Sequence, residues 1–343
     1  MLSLHGKGFR TIPYQMFDRA HYGLEAKNAR VLERIYHKGH AQAWDGQKVL
    51  ASLIETHGAP TLEPEQKAAL GRVFSIIMWG ELAAWRISAE LADELEPLEA
   101  KMAATSQAFD EARHFYVFHD YLEALGALPD RIDPGAKGLL EAVMNADHLA
   151  KKLLGMQLMV EPIALTLFQV VRKLNLEPVL THLLPYYERD ESRHVALGLQ
   201  YLPAMLSRMS VAQRAALWAF QLKLMTYELW SNYGLSRDLL TLGVDPRTLI
   251  EVGKGKQMRA LKLTMQSMGV EITTHQMLFS RYVDCMAELT IPSIDPADSL
   301  WKRIQRAVDA ALHGRFEAEV DLVPDVTDEQ VPFIQRSAEG LEH

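Results

Sequence analysis

The chain contains almost no cysteine: Cys285 is the single one among 343 residues. One thiol can form neither an intramolecular disulfide framework nor a cysteine-based metal site. Chains without disulfides are typical of reducing compartments, and the first residues lack the apolar run of a secretory signal. We therefore expect a cytoplasmic protein.

Long apolar runs and concentrated positive charge are also missing. No uncharged stretch approaches the roughly 18–20 residues that a membrane-spanning helix needs. The formal net charge is −8, and no dense Lys/Arg patch interrupts it. This composition gives no reason to expect a membrane or a nucleic acid as partner.

What the chain does contain is a large apolar fraction arranged with helical periodicity. Residues of the hydrophobic set make up 48% of the sequence, which is enough for a substantial core. Four long core helices are predicted, at about 64–95, 97–126, 136–174 and 177–207. A fifth amphipathic helix is predicted from Ser210 to about Tyr233, and three or four shorter helices over 245–313. The predicted organisation is an N-terminal arm with wrapping helices (1–62), a helical bundle plus fifth helix (63–236), and a C-terminal helical extension with an acidic tail (237–340).

The most informative feature is a repeated motif. The sequence Asp-Glu-x-Arg-His occurs at residues 110–114 and again at 190–194, an offset of 80 residues (191 − 111). Another glutamate stands thirty residues before the glutamate of each copy, at Glu81 (111 − 30) and Glu161 (191 − 30). Both upstream glutamates lie inside apolar segments. A duplicated pair of solvated helix faces would explain the charges without a site, but the apolar flanks favour burial, and buried charges need partners or metals.

Two lone glutamates and two Glu-x-x-His pairs on four helices are the ligand set of a carboxylate-bridged di-iron or di-manganese centre in a four-helix bundle. Residues three apart share one helix face, so each motif can direct its glutamate and histidine at one metal. Four carboxylates balance two divalent cations, and oxygen donors with one imidazole per metal suit iron or manganese. The predicted ligands are Glu81, Glu111, His114, Glu161, Glu191 and His194.

The remaining residues of the motifs predict an outer layer around these ligands. A ligating histidine commonly donates its second ring N–H to a carboxylate, which fixes its tautomer. We expect a crossed arrangement in which Asp110 contacts His194 and Asp190 contacts His114. Arg113 and Arg193 would then neutralise the two aspartates.

The pattern resembles the ferritin-like superfamily, and the Asp-Glu-x-Arg-His form resembles the bacterial multicomponent monooxygenases and the ribonucleotide reductase small subunits. The resemblance covers about residues 70–205. It implies an all-α, ferritin-like four-helix bundle with additional N- and C-terminal helices. It also implies two iron ions, with manganese–iron possible. Glu81, Glu111 and His114 would hold one ion, and Glu161, Glu191 and His194 the other, with Glu111 and Glu191 as bridges.

The sequence departs from both of these groups of proteins at positions that bear on the expected reaction. Reductase small subunits place a radical tyrosine four residues after the first motif's histidine, where this chain has Phe118. The hydroxylases place a threonine four residues after the glutamate that corresponds to Glu161, where this chain has Leu165. Positions one turn from the ligands predict an apolar substrate pocket lined by Ile77, Ala84, Leu165 and Tyr187, with Phe115, Phe118 and Phe168 as an aromatic wall. Ordinary bundle core is the alternative for each of these residues. Glu188, one turn before Glu191, remains open as an additional ligand.

The predicted function is a di-iron oxidase or monooxygenase, an oxidoreductase that activates O₂ to oxidise a small apolar or aromatic organic substrate. No flavin, nicotinamide or iron–sulfur motif is visible in the sequence, so electrons would come from a separate reductase or ferredoxin. A homodimer is expected. Two alternatives stay open, a ferroxidase or metal-handling ferritin-like protein and a non-catalytic subunit of an oxygenase assembly.

Overall fold

The computed structural model describes residues 26–268, 274–291, 298–313, 321–322 and 326–332. Within these ranges the chain is all-α, as predicted, and no β-strand is present. The predicted helix from Tyr14 is described only from Ala26 onward, and most of the predicted acidic tail lies outside the described residues.

The helices follow one another in the order that the sequence predicts. Before the bundle come α1 (Ala26–Ala41) and α2 (Gly46–His57). The bundle contains α3 (Pro64–Glu94), α4 (Leu98–Leu125), α5 (Pro134–Met144), α6 (Leu149–Gly155), a wide π-helical turn (Met156–Val160), α7 (Glu161–Leu174) and α8 (Pro178–Arg208). After it come α9 (Val211–Gly234), α10 (Ser236–Thr241), α11 (Pro246–Gln266), α12 (Thr274–Thr290) and α13 (Leu300–His313).

Local sequence signals set most of the helix ends. Asp133 accepts a hydrogen bond from the backbone N–H of Ala136 and is followed by a proline in the first turn of α5. Ser210 and Gln213 form a capping box at the start of α9. Gly126 ends α4 in the left-handed conformation, with φ 69°. Because Ser210 caps α9, the fifth helix begins where the sequence predicts it.

The third bundle helix, which the sequence predicts over about 136–174 with a kink at Pro162, is broken twice. Asn145 ends α5, and His148 caps α6 by accepting a hydrogen bond from the N–H of Ala150. The second break is the π-helical turn, after which the N–H of Glu161 bonds to the carbonyl of Met156. Pro162 follows at once and has no N–H to give to Leu158, so the regular ladder cannot run through this turn.

The bundle core brings together the six predicted ligands, which lie on α3, α4, α7 and α8. The antiparallel pair α3 and α4 packs along its length, and α7 packs against α8. Helix α1 lies against α4 and α8, while α9 and α11 cover the other side. The stretch Leu149–Leu174 is long and apolar enough to cross a membrane by length and composition, but 78% of its most apolar window is buried inside the protein. That burial is typical of a core helix.

Candidate metal centre

The structure brings the six predicted ligands together in the middle of the bundle. Their donor atoms form two groups, each with its members within 4.8 Å of one another. The first group contains Glu81, Glu111, His114 and Glu191, and the second contains Glu111, Glu161, Glu191 and His194. All six side chains are buried, with exposed fractions between 0% and 5%.

Glu111 and Glu191 belong to both groups because each divides its two oxygens between them. Oε2 of Glu111 lies 3.4 Å from Nδ1 of His114, and Oε1 lies 3.1 Å from Nδ1 of His194. Oε1 of Glu191 lies 3.1 Å from Nδ1 of His114, and Oε2 lies 2.8 Å from Nδ1 of His194. This is the geometry of two bridging carboxylates.

The terminal glutamates each face one histidine. Oε2 of Glu81 is 3.4 Å from Nδ1 of His114, and Oε1 of Glu161 is 3.8 Å from Nδ1 of His194. With metal–ligand bonds of about 2.0–2.2 Å, two ligand atoms of one ion lie roughly 3 Å apart or slightly more. The observed separations fit that requirement in both groups.

Unpartnered buried atoms support the same conclusion. Nδ1 of His114 and Oε2 of Glu111 are buried and form no hydrogen bond of good geometry, although carboxylate oxygens lie 3.1 Å and 3.4 Å from the nitrogen. Orphaned polar atoms are costly inside a protein unless an unseen group satisfies them. A set of four carboxylates and two imidazoles, free of thiolates, fits two divalent ions of the iron or manganese type.

The pKa values of the ligands reflect how strongly their charges interact. Burial raises the pKa of Glu81 well above its usual range, and burial together with the charges of Glu191 and Glu111 does the same for Glu161. Burial also opposes ionisation of Glu191, but the neighbouring His194 and His114 lower its pKa to about 2. Without a metal, protons therefore collect on some donors while others remain ionised. Metal binding must displace those protons.

The outer layer has the crossed arrangement that the motif suggests. Oδ2 of Asp190 lies 3.0 Å from Nε2 of His114, and Oδ2 of Asp110 lies 3.4 Å from Nε2 of His194. Each histidine thus directs Nδ1 at the carboxylate cluster and Nε2 at an aspartate from the other motif. This contact fixes both the ring orientation and the tautomer that can ligate.

Two arginines close this layer into a ring of charges. Nη2 of Arg113 donates to Asp110 at 2.6 Å and to Asp190 at 2.7 Å. Nη2 of Arg193 donates to the same two aspartates, at 2.8 Å and 2.7 Å. Burial opposes ionisation of Asp190, but Arg193 and Arg113 hold its pKa well below the usual range. Both aspartates are therefore anionic acceptors for the histidine N–H groups.

Three contributors to the site were not predicted. Trp44, in the loop between α1 and α2, donates its indole N–H to Oδ2 of Asp190 at 2.8 Å. Gln107 donates to both Glu111 and Glu161 at 2.9 Å, and its own oxygen accepts from Gln157 at 3.3 Å. Gln107 and Gln157 stand four residues before Glu111 and Glu161, so helix spacing could have identified them. Nothing local in the sequence connects Trp44 with residue 190.

The seven residues predicted to form a substrate pocket are packed in two separate core clusters. Ile77, Phe118, Phe168 and Tyr187 belong to one cluster, with Phe115 at its edge, whereas Ala84 and Leu165 belong to the other. Ring centroids of Phe118 and Tyr187 are 4.2 Å apart, and the Tyr187 hydroxyl donates to the backbone oxygen of His114 at 2.9 Å. The aromatic side chains form a closely packed wall beside His114.

Glu188, left open as a possible ligand, has a different partner. Its Oε1 lies 2.9 Å from Nε of Arg172, and its Oε2 accepts from Nη2 of the same arginine at 3.0 Å. Glu188 is in neither of the two donor groups. The side chain of Glu188, although one turn before Glu191, therefore points toward Arg172 on α7 and away from the two donor groups.

Comparisons with known proteins add little beyond the course of the backbone. No protein-family model matches the chain, and no curated protein matches it. One solved structure that the chain resembles is a tyrosine-to-phenylalanine variant of an R2-like ligand-binding oxidase with an aerobically reconstituted Mn/Fe cofactor. The match has a TM-score of 0.44 and 17% identity, and it covers 77% of this chain and 98% of the other.

Proposed function

We propose that the protein is a di-metal oxidase or monooxygenase that uses O₂ to oxidise a small apolar or aromatic organic molecule. The observation that carries the proposal is the pair of bridging glutamates, each placing one oxygen in each donor group. Two irons are the proposed ions, with manganese and iron as the second possibility. When bound, such a pair supplies the electron-transfer chemistry that lets O₂ react with an organic substrate.

The residues of the chain hold and orient this centre. Glu111 and Glu191 would each offer one oxygen to either ion, and the crossed aspartates hold the imidazoles in position for ligation. Gln107 ties the bridging Glu111 to the terminal Glu161 through its two N–H contacts. The aromatic wall beside His114 excludes water from that half of the site.

The two halves of the centre differ in polarity, which supports an apolar substrate on one side. The residues four before the ligand glutamates are Gln107 and Gln157 in the half that contains His194. Gln157 donates a hydrogen bond to Gln107, which donates to Glu111 and Glu161. The equivalent residues in the half that contains His114 are Ile77 and Tyr187, which belong to the apolar core. We propose that oxidation takes place in the apolar half, beside Glu81 and His114.

Gly80 lies on the proposed entry route of the substrate to the half of the centre that contains His114. It stands directly before Glu81 in the middle of α3, and a Cβ built on it would meet nothing within 4 Å. A glycine inside a helix costs about 0.5–1 kcal/mol relative to alanine, and here no neighbouring atom requires it. We propose that the open space at Gly80 admits the substrate.

The proposal includes a separate electron donor, a reductase or ferredoxin, because the sequence shows no motif for a second redox cofactor.

The proposal also includes a dimer of two copies of the chain. Met102, Phe109 and Tyr116 recur every seven residues on α4 and are 36%, 64% and 66% exposed. They form an uncharged stripe about 21 Å long, and Trp79 and Trp85 are also exposed on the adjacent α3. Exposed apolar side chains that lie together are typical of an interface between proteins, and a twofold axis would bring together two stripes without charge repulsion.

The test is to load the purified protein with Fe(II) without air, add O₂, and follow the reaction by rapid-freeze electron paramagnetic resonance and O₂ uptake. We expect O₂ consumption with about two irons per chain and no lasting tyrosyl signal, followed by hydroxylation or desaturation of an apolar test compound. A stable tyrosyl radical in high yield would indicate radical storage. Uptake of hundreds of irons would indicate a ferroxidase, and an inert metal-loaded protein would indicate a non-catalytic subunit.

A further inference from the structure

A cavity lies between α1 and α8, on the outer side of the ring formed by Asp110, Asp190, Arg113 and Arg193. Its volume is about 640 Å³. The two helices supply most of its walls, and Gln42 and Val326 close two of its edges. We call this cavity the α1–α8 groove.

The groove is strongly positive. Arg34 and Lys38 project from α1, Arg189 and Arg193 from α8, and none of the described residues that line it is acidic. Arg34 and Lys38 are exposed, and neither forms an ion pair within the described part of the chain. Arg193 is already neutralised by Asp110 and Asp190, so the unpaired positive charge of the groove comes from Arg34 and Lys38, which lie four residues apart on α1 and concentrate anions there.

Apolar side chains complete the lining. Val31 and Ile35 on α1 face Ala196 on α8 across the groove. A cavity with several cations and an apolar wall suits a molecule that has an anionic group and a small carbon skeleton. A bare counterion would use only the first of these features.

The floor of the groove is Arg193, which connects it with the metal centre. Its Nη1 donates to Oε1 of Gln42 at 3.0 Å, and its Nη2 donates to Asp110 and Asp190. The side chain is only 6% exposed. A second anion near this guanidinium would compete with the two aspartates that orient His114 and His194.

We propose that the α1–α8 groove binds a small organic anion with a carboxylate or phosphate group. The bound anion is held by Arg34 and Lys38, and it contacts Arg193 from the side opposite to the aspartates. Because Arg193 links both aspartates, occupancy of the groove changes how firmly the two histidines are held. Binding itself does not depend on the proposed oxidase reaction, so the two proposals can fail separately.

The test is isothermal titration calorimetry on the full chain at low ionic strength, with inorganic phosphate in one arm and citrate in the other. The double variant R34Q/K38Q removes two exposed cations of the groove. The double variant K137Q/R214Q removes two exposed cations elsewhere and serves as the charge-matched control. We expect saturable binding of at least one anion, weakened about tenfold or more in R34Q/K38Q and nearly unchanged in the control.

The preferred probe identifies the ligand class, phosphate for a phosphorylated compound and citrate for a carboxylic acid. Equal losses in both double variants would mean a general charge effect and would overturn the proposal. Absence of saturable binding of either anion would also overturn it. Far-UV circular dichroism checks that the variants fold, and because both changed side chains are exposed, the single variant K38Q provides a milder second test with the same expected direction.

Discussion

At the scale of single residues, Glu111 and Glu191 decide whether the predicted centre can form. Glu111 and Glu191 each contact both histidines through different oxygens, so removing either weakens both halves. Glu188 is equally buried and lies one turn from Glu191, but it is paired with Arg172. Variants of Glu111 and Glu191 can therefore be compared with a variant of Glu188, which tests whether a buried glutamate is needed for metal binding or is only buried beside the site.

We predict that E111A/E191A abolishes metal binding, because neither half keeps more than one carboxylate and one imidazole. Metal analysis after loading and desalting measures the result. E188Q is the matched control and should retain about two ions per chain. Retention of both ions by E111A/E191A, or their loss from E188Q, would contradict the assignment of ligands.

Asp190 is the most connected residue of the outer layer. It accepts hydrogen bonds from Trp44, Arg113 and Arg193 and lies 3.0 Å from Nε2 of His114. We predict that D190N lowers metal affinity about 10–100-fold while the helical content is kept, since His114 loses its charged partner. A competition titration with a chelator measures the affinity. D238N, which weakens an ion pair with Arg72 at the surface, should bind metal like the parent. An affinity for D190N equal to that of the parent would show that the orienting contact is dispensable.

At the scale of helices, the middle of α3 combines a ligand with an open position. An alanine at Gly80 meets no atom, so G80A should stabilise the protein by about 0.5–1 kcal/mol and leave access to the centre unchanged. G80F should fill the open space. We predict that G80F slows removal of Fe(II) by a bulky chelator several-fold without changing the amount of iron bound.

The comparison variant for this prediction is A89F, which adds the same ring at an exposed position of α3 two and a half turns away. Stopped-flow absorbance of the iron–chelator complex gives the rates. Equal rates for G80F and A89F would mean that the route to the centre lies elsewhere.

The contact between α9 and α11 contains a buried acid that the centre does not use. Burial raises the pKa of Glu228 to about 7, although Gln257 donates a hydrogen bond to it at 2.9 Å. In the unfolded chain the same group titrates near 4.5. Between these two pKa values the folded state holds more protons than the unfolded state, so stability falls as the pH rises through this window.

We therefore predict that E228Q stabilises the protein at about pH 8, by a few kcal/mol at most, and has little effect at about pH 4. The amide oxygen can still accept from Gln257, and no charge has to be buried. Urea unfolding at several pH values measures the free energy. E251Q, at an exposed position of α11, should leave the pH dependence of the parent intact. A pH dependence of E228Q identical to the parent would assign the effect to other groups.

At the scale of the whole molecule, the exposed stripe of α4 predicts self-association. The variant F109E/Y116E places two like charges on each copy at the proposed twofold contact. We predict that the parent sediments as a dimer and that this variant sediments as a monomer with unchanged helical content. Analytical ultracentrifugation decides the result.

Trp301 on α13 is 67% exposed and provides the control, since W301E adds a charge to another apolar surface. The dimer should persist in that variant. A monomeric parent, or a dimer that survives F109E/Y116E, would exclude this face as the interface.

The sequence by itself determined the all-α architecture and pointed to the ligand set. The helical periodicity of the apolar residues predicts the architecture. A spacing of three places Glu111 with His114 on one helix face, and the 80-residue offset repeats that arrangement, which predicts the ligand set. Helix starts at Asp133 and Ser210 were equally predictable, because a cap depends on side chains within the same turn. The role of the six residues as ligands stays a prediction that metal analysis can test.

Only the tertiary structure decided which distant groups complete the site. Trp44 reaches Asp190 across 146 residues, and no local pattern encodes such a contact. Pro162 predicts a kink of the third helix beside Glu161, but the form of the interruption, a π-helical turn over Met156–Val160, depends on how that helix packs. Most of the seven residues predicted to form the pocket stand three or four positions from a predicted ligand, but packing separates the seven into two clusters. Periodicity fixes the face on which a side chain lies, whereas its partner depends on how the helices pack against one another.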